Sequence, residues 1–326
     1  QIPYAGEPLV QFPELFLTSM ALVALALILF DGSTRIKLKQ FDKLAIQSTK
    51  LTMVFLFFEL LLMTVASWVL LDIPLPISLL LSSLIAGTSS DVMTSIAGSV
   101  KNKMLDLVTF ESIINTPITV ILPFLILDVI TSVNLDITAE LLGVIKPLII
   151  KVVAGVGSGA ILFILLYKIL SPGGQKYSKI FTPLTVILCA MLAFVLAENI
   201  GGDGVLSVTT LGLLFGNFIK KSRLDVLETE SIFSKGLYVL VFVMIGLIIK
   251  LPLTLEFISQ SGILFLIYLA IRFFCMWATQ GLEGYSLREL IFGSLHSAKG
   301  IATATLVLTF AIYNIPGSPV FIPSLD

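Results

Sequence analysis

Charge is what this chain has least of. Asp, Glu, Lys and Arg make up 13% of its 326 residues, about half of the roughly 25% usual in soluble domains. So few charges do not cover a soluble surface of this size, which excludes a water-soluble enzyme. Excess of one sign is missing too: 20 basic against 21 acidic residues leave −1, and no basic field for nucleic acid. The two cysteines, Cys189 and Cys275, lie in separate apolar stretches without a CxxC spacing, so they give neither a disulfide framework nor a zinc site. One histidine, His296, is too few for a histidine-built metal centre. HExxH and GxSxG are absent, which leaves an intramembrane hydrolase without a motif. The period-2 alternation and aromatic girdles of an outer-membrane barrel are also missing.

What is present is apolar. Hydrophobic residues are 57% of the chain and the mean hydropathy is +1.05, the composition of an all-α integral membrane protein. A membrane helix needs about 17–25 mainly apolar residues. The predicted spans are 13–30, 51–71, 75–97, 107–130, 142–170, 181–199, 203–219, 235–250, 260–280 and 289–313. Fifteen of the 20 lysines and arginines fall in the connections 31–50, 98–106, 168–180, 219–235 and 281–288, against three (Lys146, Lys151 and Lys250) in the alternate ones. Cytoplasmic loops collect positive charge, so both ends of this chain are expected outside. Lys146 and Lys151 fit least well; near a helix end they can snorkel.

Two spans are interrupted. In the third, Gly87-Thr88-Ser89-Ser90-Asp91 places hydroxyls and a carboxylate at membrane depth; in the tenth, Gly293-Ser294-Leu295-His296-Ser297-Ala298-Lys299-Gly300 places an ammonium there. Irregular backbone at that depth survives only when buried in protein or lining a wet cavity, and paired interrupted helices in corresponding halves point to a transporter's binding site. The halves correspond: Gly32 to Gly87 is 55 residues and Gly246 to Gly300 is 54, each starting at the end of a span. Because the two runs point in opposite directions, the pattern is an inverted repeat. Its predicted halves are about 13–130 and 181–313, joined by a linking span at 142–170, with the two broken helices crossing near the midplane. A tight packing face is the plainer reading of one small-residue stretch; two such stretches, each with an ionisable group, favour a site.

Charges at the bilayer centre cost at least about 2.5–3.5 kcal/mol each, so Asp91, Lys299, Glu111, Glu59 and Arg272 are candidates by position. Glu111 and Asn115 share one helix face, with Ser112 and Thr116 on the adjacent one; together they offer oxygens to a hard cation. Pro117 removes a backbone donor and frees the carbonyl of Ile113. Glu111 also has the simpler role of neutralising Arg272. Asp91 is the sharpest candidate: burial favours a carboxyl's protonated form and a bound cation its ionised form, so one group can exchange H⁺ for a cation. Lys299 offsets helix C-terminal dipoles or competes for the carboxylate when the ion leaves; the plainer reading is a fixed structural counter-charge. Glu59 faces the bundle interior or is a second partner for Arg272. Asp31 is a solvated residue at the cytoplasmic edge or guards an entry funnel. His296 reads as a packing residue, with pH sensing as the alternative.

In order and spacing, Leu29-Phe30-Asp31-Gly32, Gly87-Thr88-Ser89-Ser90, Glu111-Ser112-Ile113-Ile114-Asn115, Phe242-Val243-Met244-Ile245-Gly246-Leu247 and Arg288-Glu289 leading to Ala298-Lys299-Gly300 resemble the monovalent cation:proton antiporter (sodium/hydrogen exchanger) superfamily. Each motif alone is weak; five in series are specific, and they cover essentially the whole chain. The resemblance implies an inverted-repeat antiporter fold with two crossed discontinuous helices, a six-helix core that moves against a dimerisation domain, and a homodimer in the full-length protein. Against twelve or thirteen spans in members, the chain is expected to lack the first two and the last. The resemblance also implies a Glu111–Arg272 pair, and a basic residue, usually arginine, where Lys299 stands. One departure matters. The ion-binding aspartate that usually follows the Asn is here Thr116, while Asp91 occupies a position usually small or hydroxylated. The carboxylate is therefore expected to have moved from the fourth span to the third.

The expected function is exchange of H⁺ for Na⁺ or K⁺ by alternating access in the plasma membrane, without cofactor, resident metal or nucleic-acid partner. The site is expected at Thr88, Ser89, Ser90, Asp91, Ser112, Asn115 and Thr116, with Glu111, Arg272 and Lys299 setting its field. Two rivals differ in class. An uncoupled scaffold or sensor on the same fold is favoured by Thr116 and opposed by the cost of the retained charges. An organic-anion transporter suits Lys299, but Asp91 would repel its substrate.

Overall fold

A computed structural model describes residues 3–4, 7–8, 14–34, 43–89, 103–132, 141–170, 181–219, 236, 239–246 and 254–312. Apart from a two-residue antiparallel pairing of Pro3–Tyr4 with Glu7–Pro8, it is helical. In chain order the helices are α1 (Glu14–Thr34), α2 (Lys43–Phe58), a π turn (Glu59–Met63), α3 (Thr64–Leu71), α4 (Leu75–Ile85), α5 (Lys103–Ser132), α6 (Leu141–Leu170), α7 (Phe181–Asn199), α8 (Gly204–Phe218), α9 (Leu255–Gln280), α10 (Leu287–Leu295) and α11 (Ile301–Ile312). A further helical stretch covers 239–246.

The helices start where their sequence provides caps. Ser286 and Glu289 form a reciprocal capping box at α10, Asp203 accepts the Leu206 N–H at α8 (2.8 Å), and Thr254 accepts that of Phe257 at α9. Each satisfies donors that the first helical turn leaves free. Four stretches, Leu44–Leu71, Lys103–Ile130, Ile149–Leu170 and Leu255–Gln280, are long and apolar enough to cross a membrane, yet in the apolar 18-residue segment of each only 33%, 33%, 28% and 33% of the residues are buried. Their exposed residues are large and apolar: Phe57, Val65 and Val69 near the π turn, Val153, Ile161 and Ile164 on α6, Phe265 and Leu266 on α9. Such a surface is matched by lipid. This is a multi-pass membrane protein.

The chain divides into two compact units, one from Gln1–Ala21, Phe41–Thr119 and Val241–Asp326, the other from Leu22–Gln40 and Val120–Leu240. The first unit packs α9 against α2 and α10, and α4 against α3, α11 and the π turn. Its core joins Leu51, Phe55, Met104, Leu107, Ile271 and Met276 with Tyr268 and Cys275. In the second unit α8 packs on α6 and α7, at close range. A Cβ on Gly159 would collide with the carbonyl of Ser207, and one on Gly216 with the carbonyl of Thr34. Ser158 donates to Ser207 Oγ across the same α6–α8 contact (2.9 Å). Lys151 pairs with Asp128 at 2.6 Å, so it has a specific partner where snorkelling alone was expected.

Candidate functional site

The site is built from two interruptions. Helix α4 stops at Ile85 and residues 86–89 continue without helical structure; α10 stops at Leu295 and residues 296–300 do the same before α11 begins. The stretches meet where the Ser89 N–H donates to the carbonyl of Ala298 (3.1 Å). The approach is close enough that a Cβ on Gly300 would lie 2.5 Å from Ser89 Oγ. Gly87 is almost as confined, 3.0 Å from Thr303 Oγ1 and 3.2 Å from Thr119 Oγ1 by the same measure. Small residues here permit a backbone crossing at the cost of exposing main-chain oxygens.

Those oxygens are taken up by Lys299. Its ammonium donates to the carbonyls of Ile85 and Gly87 and to Tyr268 Oη, and thus sits at the C-terminal end of α4, where the helix dipole leaves negative partial charge. Tyr268 is the residue that sequence reasoning missed. The available signal was its position one turn before Arg272 on α9, on the same helix face.

Beside the crossing, α5 presents a run of polar side chains. Arg272 Nη2 donates to Glu111 Oε2 at 2.9 Å, and both side chains are fully buried. The guanidinium also lies over the Phe55 ring, 4.9 Å from its centroid. Thr88 donates to Glu111 (3.4 Å) and Ser112 donates to Thr88 (3.1 Å). The Asn115 amide is shared among the Ala86 carbonyl, Thr88 Oγ1 and Glu111 Oε1, at 3.3, 3.2 and 3.4 Å. Asn115 Oδ1 is buried and has no donor among the described residues. The cluster therefore offers hydroxyl and amide oxygens, one unengaged, around a carboxylate already committed to an arginine. Neutral oxygens of this kind replace hydration water around a hard cation.

Other predicted residues stand differently. Thr116 turns its hydroxyl onto its own helix, donating to the Ser112 carbonyl (2.7 Å), while α5 runs on through Pro117. His296 is more than a packing residue: its Nε2 is 3.2 Å from Ser112 Oγ, a polar contact between the second broken helix and α5. Asp31 is not a solvated loop residue but lies inside α1, half-buried, with its carbonyl accepting from Thr34 Oγ1. Glu59 opens the π turn, fully buried, and neither carboxylate oxygen has a hydrogen-bond partner among the described residues. It faces the interior without bonding Arg272. Ser90 and Asp91 lie outside the described residues.

Two discontinuous helices thus meet at their breaks beside a buried ion pair. The family description "Sodium/hydrogen exchanger, transmembrane" matches residues 5–325, and the chain belongs to that family. It is 23% identical over 231 residues to the K⁺/H⁺ antiporter NhaP of Alkalimonas amylolytica, a match covering 70% of this chain and 39% of that protein. The chain thus spans about two-fifths of that relative's length. The fold is similar to that of the sodium proton antiporter MjNhaP1 of Methanocaldococcus jannaschii at pH 8. The TM-score is 0.72 at 19% identity, over 94% of this chain and 78% of that one. An electron-microscopy structure of the same antiporter gives 0.68 at 20% identity, over 89% and 71%.

Proposed function

We propose that this protein exchanges H⁺ for Na⁺ or K⁺ across the plasma membrane by alternating access, at a site bounded by residues 88–91 and 111–116 with Lys299 opposite. The observation that supports this most directly is the oxygen cluster of Thr88, Ser112 and Asn115 where the two broken helices meet, with no donor to Asn115 Oδ1 among the described residues. The curated relative is a K⁺/H⁺ antiporter and the structural neighbour a sodium proton antiporter, which supports the same pair of ions.

In this reading the neutral oxygens strip water from the arriving ion, and Asp91 supplies the negative charge that Thr116 lacks. Glu111 is held by Arg272 and serves the field, not the exchange. Asp91 releases its proton as the cation enters and regains it as the cation leaves; competition for a shared carboxylate is sufficient for coupling, and electroneutral exchange follows from one such group. The inverted repeat about 13–130 and 181–313 supplies two broken helices of opposite direction, so that the site can open to either side. We place both ends of this chain on the outer face and assign a homodimer to the full-length protein.

The test is a ΔpH-dequenching assay in liposomes with Na⁺, K⁺ and Li⁺ in turn. A response to at least one ion, lost in Asp91→Asn while the variant remains monodisperse, is expected. Silence with all three ions would favour an uncoupled relative on the same fold, the reading that Thr116 invites. Unchanged exchange by Asp91→Asn would remove Asp91 from the site.

A further inference from the structure

Of the carboxylates buried among the described residues, Glu111 has Arg272, Thr88 and Asn115, and Asp203 caps α8. Glu59 alone has both oxygens buried without a donor among the described residues. Its place in the chain is itself irregular. Helix α2 widens into a π turn at Glu59–Met63 before α3 resumes, and inserted turns of this type mark functional positions more often than ordinary helix does. The turn packs on α4, the first broken helix, and on α9.

The surroundings of Glu59 are positive. Arg272 on α9 and Lys299 in the second break are within electrostatic reach; Tyr268 and Cys275 on α9 are the other titratable side chains that sense it. Helices α3 and α4, packed on the same turn, contain no titratable residue. Among the described residues Lys299 meanwhile bonds neutral oxygens, those of Ile85, Gly87 and Tyr268. The interior of this unit therefore holds an acid without a donor near an ammonium without a carboxylate ligand among the described residues. A buried ionised carboxylate with no hydrogen bonds is costly, whereas its protonated form is neutral. An added positive charge nearby favours ionisation.

We propose that Glu59 is a second proton-binding site of the core, protonated in the resting protein and discharged when a monovalent cation enters between the broken helices. The carboxylic O–H bond breaks, its electron pair stays on Glu59, and the proton leaves to water as the cation's charge arrives. This rests on the antiport reading for the identity of the discharging ion; the resting protonated acid does not. It also supplies a second way for the protein to function without an aspartate at 116; the one-for-one exchange proposed above counts Asp91 alone, and discharge of Glu59 by the same cation adds a second proton to that count.

Infrared difference spectroscopy on the full chain in liposomes, labelled with ¹³C-carboxyl glutamate, tests it. A protonated-carboxyl band that shifts with the label near neutral pH is expected, and it should be missing from Glu59→Gln and retained in Asp91→Asn. Adding Na⁺ or K⁺ at fixed pH should diminish the band, and proton release on cation addition should fall in Glu59→Gln. A band unchanged in Glu59→Gln overturns the assignment. If that variant does not fold, absence of a glutamate-shifted band from the wild-type chain overturns it equally. A band indifferent to a cation that the same liposomes exchange overturns the discharge. A Glu59 band in liposomes that exchange no cation leaves the proton site standing and removes the antiport reading.

Discussion

At the scale of single residues, the interior of the first unit is organised by one ion pair and its neighbours. Arg272 and Glu111 are both fully buried and bonded at 2.9 Å, so each is the other's direct ion-pair partner. Such a pair contributes little net stability over an apolar substitute, but removing one partner leaves an uncompensated charge at a cost of about 3–5 kcal/mol. Arg272→Ala is therefore expected to lower the thermal midpoint of the purified protein sharply, and Arg272→Ala combined with Glu111→Gln to recover part of the loss. A double variant no better than the single one, in fluorescence-monitored size-exclusion melts, would show that the pair is not a unit. Much of this was legible in the residues themselves. Asp91, Lys299, Glu111, Glu59 and Arg272 fall inside apolar spans, and their insertion cost marked each as a candidate. The Glu111–Arg272 pair was legible as a simple neutralisation and through the family resemblance, and the structure shows it; spacing alone does not join residues 161 positions apart, nor does it tell Glu111 from Glu59, which has no hydrogen-bond donor among the described residues. His296 illustrates the same limit: a lone histidine among small residues looks like packing until Ser112 is seen 3.2 Å away.

At the scale of elements, glycine decides which helices can touch. On α6, Gly159 faces the Ser207 carbonyl, whereas Gly157, two residues earlier and therefore on another side of the helix, has nothing within 4 Å. Gly159→Val is expected to cost about 1–3 kcal/mol through overpacking, while Gly157→Ala should be neutral or gain up to about 1 kcal/mol from helix propensity. Melting curves of the two variants check this, and equal effects would contradict the packing described. Gly300→Ala probes the crossing itself: its Cβ would meet Ser89 Oγ at 2.5 Å, so exchange should fall while the melting point of the second unit's packing, read by the Gly159 comparison, is unaffected. The two broken helices were visible in sequence because small and polar residues at membrane depth contradict a plain span. The π turn was not visible. Apart from the charge of Glu59, nothing in Glu59-Leu60-Leu61-Leu62-Met63 departs from an ordinary apolar helix, and the turn is seen only once its packing on α4 and α9 is in place.

At the scale of the whole molecule, hydropathy and the distribution of lysine and arginine carry an expectation that can be tested without any transport assay. Fifteen of the 20 basic residues fall in alternate connections, so single cysteines placed in 98–106 or 281–288 should react with an impermeant maleimide only after the membrane is opened. Cysteines near residues 1 and 326 should react in intact cells; the reverse pattern would invert the proposed orientation. Division of the chain into units was less accessible to sequence. The half-repeats we propose run consecutively along the chain, while each compact unit draws on separated segments. Composition, periodicity and the placement of basic side chains are local properties that act during insertion, one span at a time, and they suffice for membrane residence, helix order and the two interruptions. Pairing of Arg272 with Glu111, the seat of Lys299 on the carboxyl end of α4, and the isolation of Glu59 depend on which faces meet. Those were decided by tertiary packing, where desolvation leaves each buried charge only the partners that geometry allows.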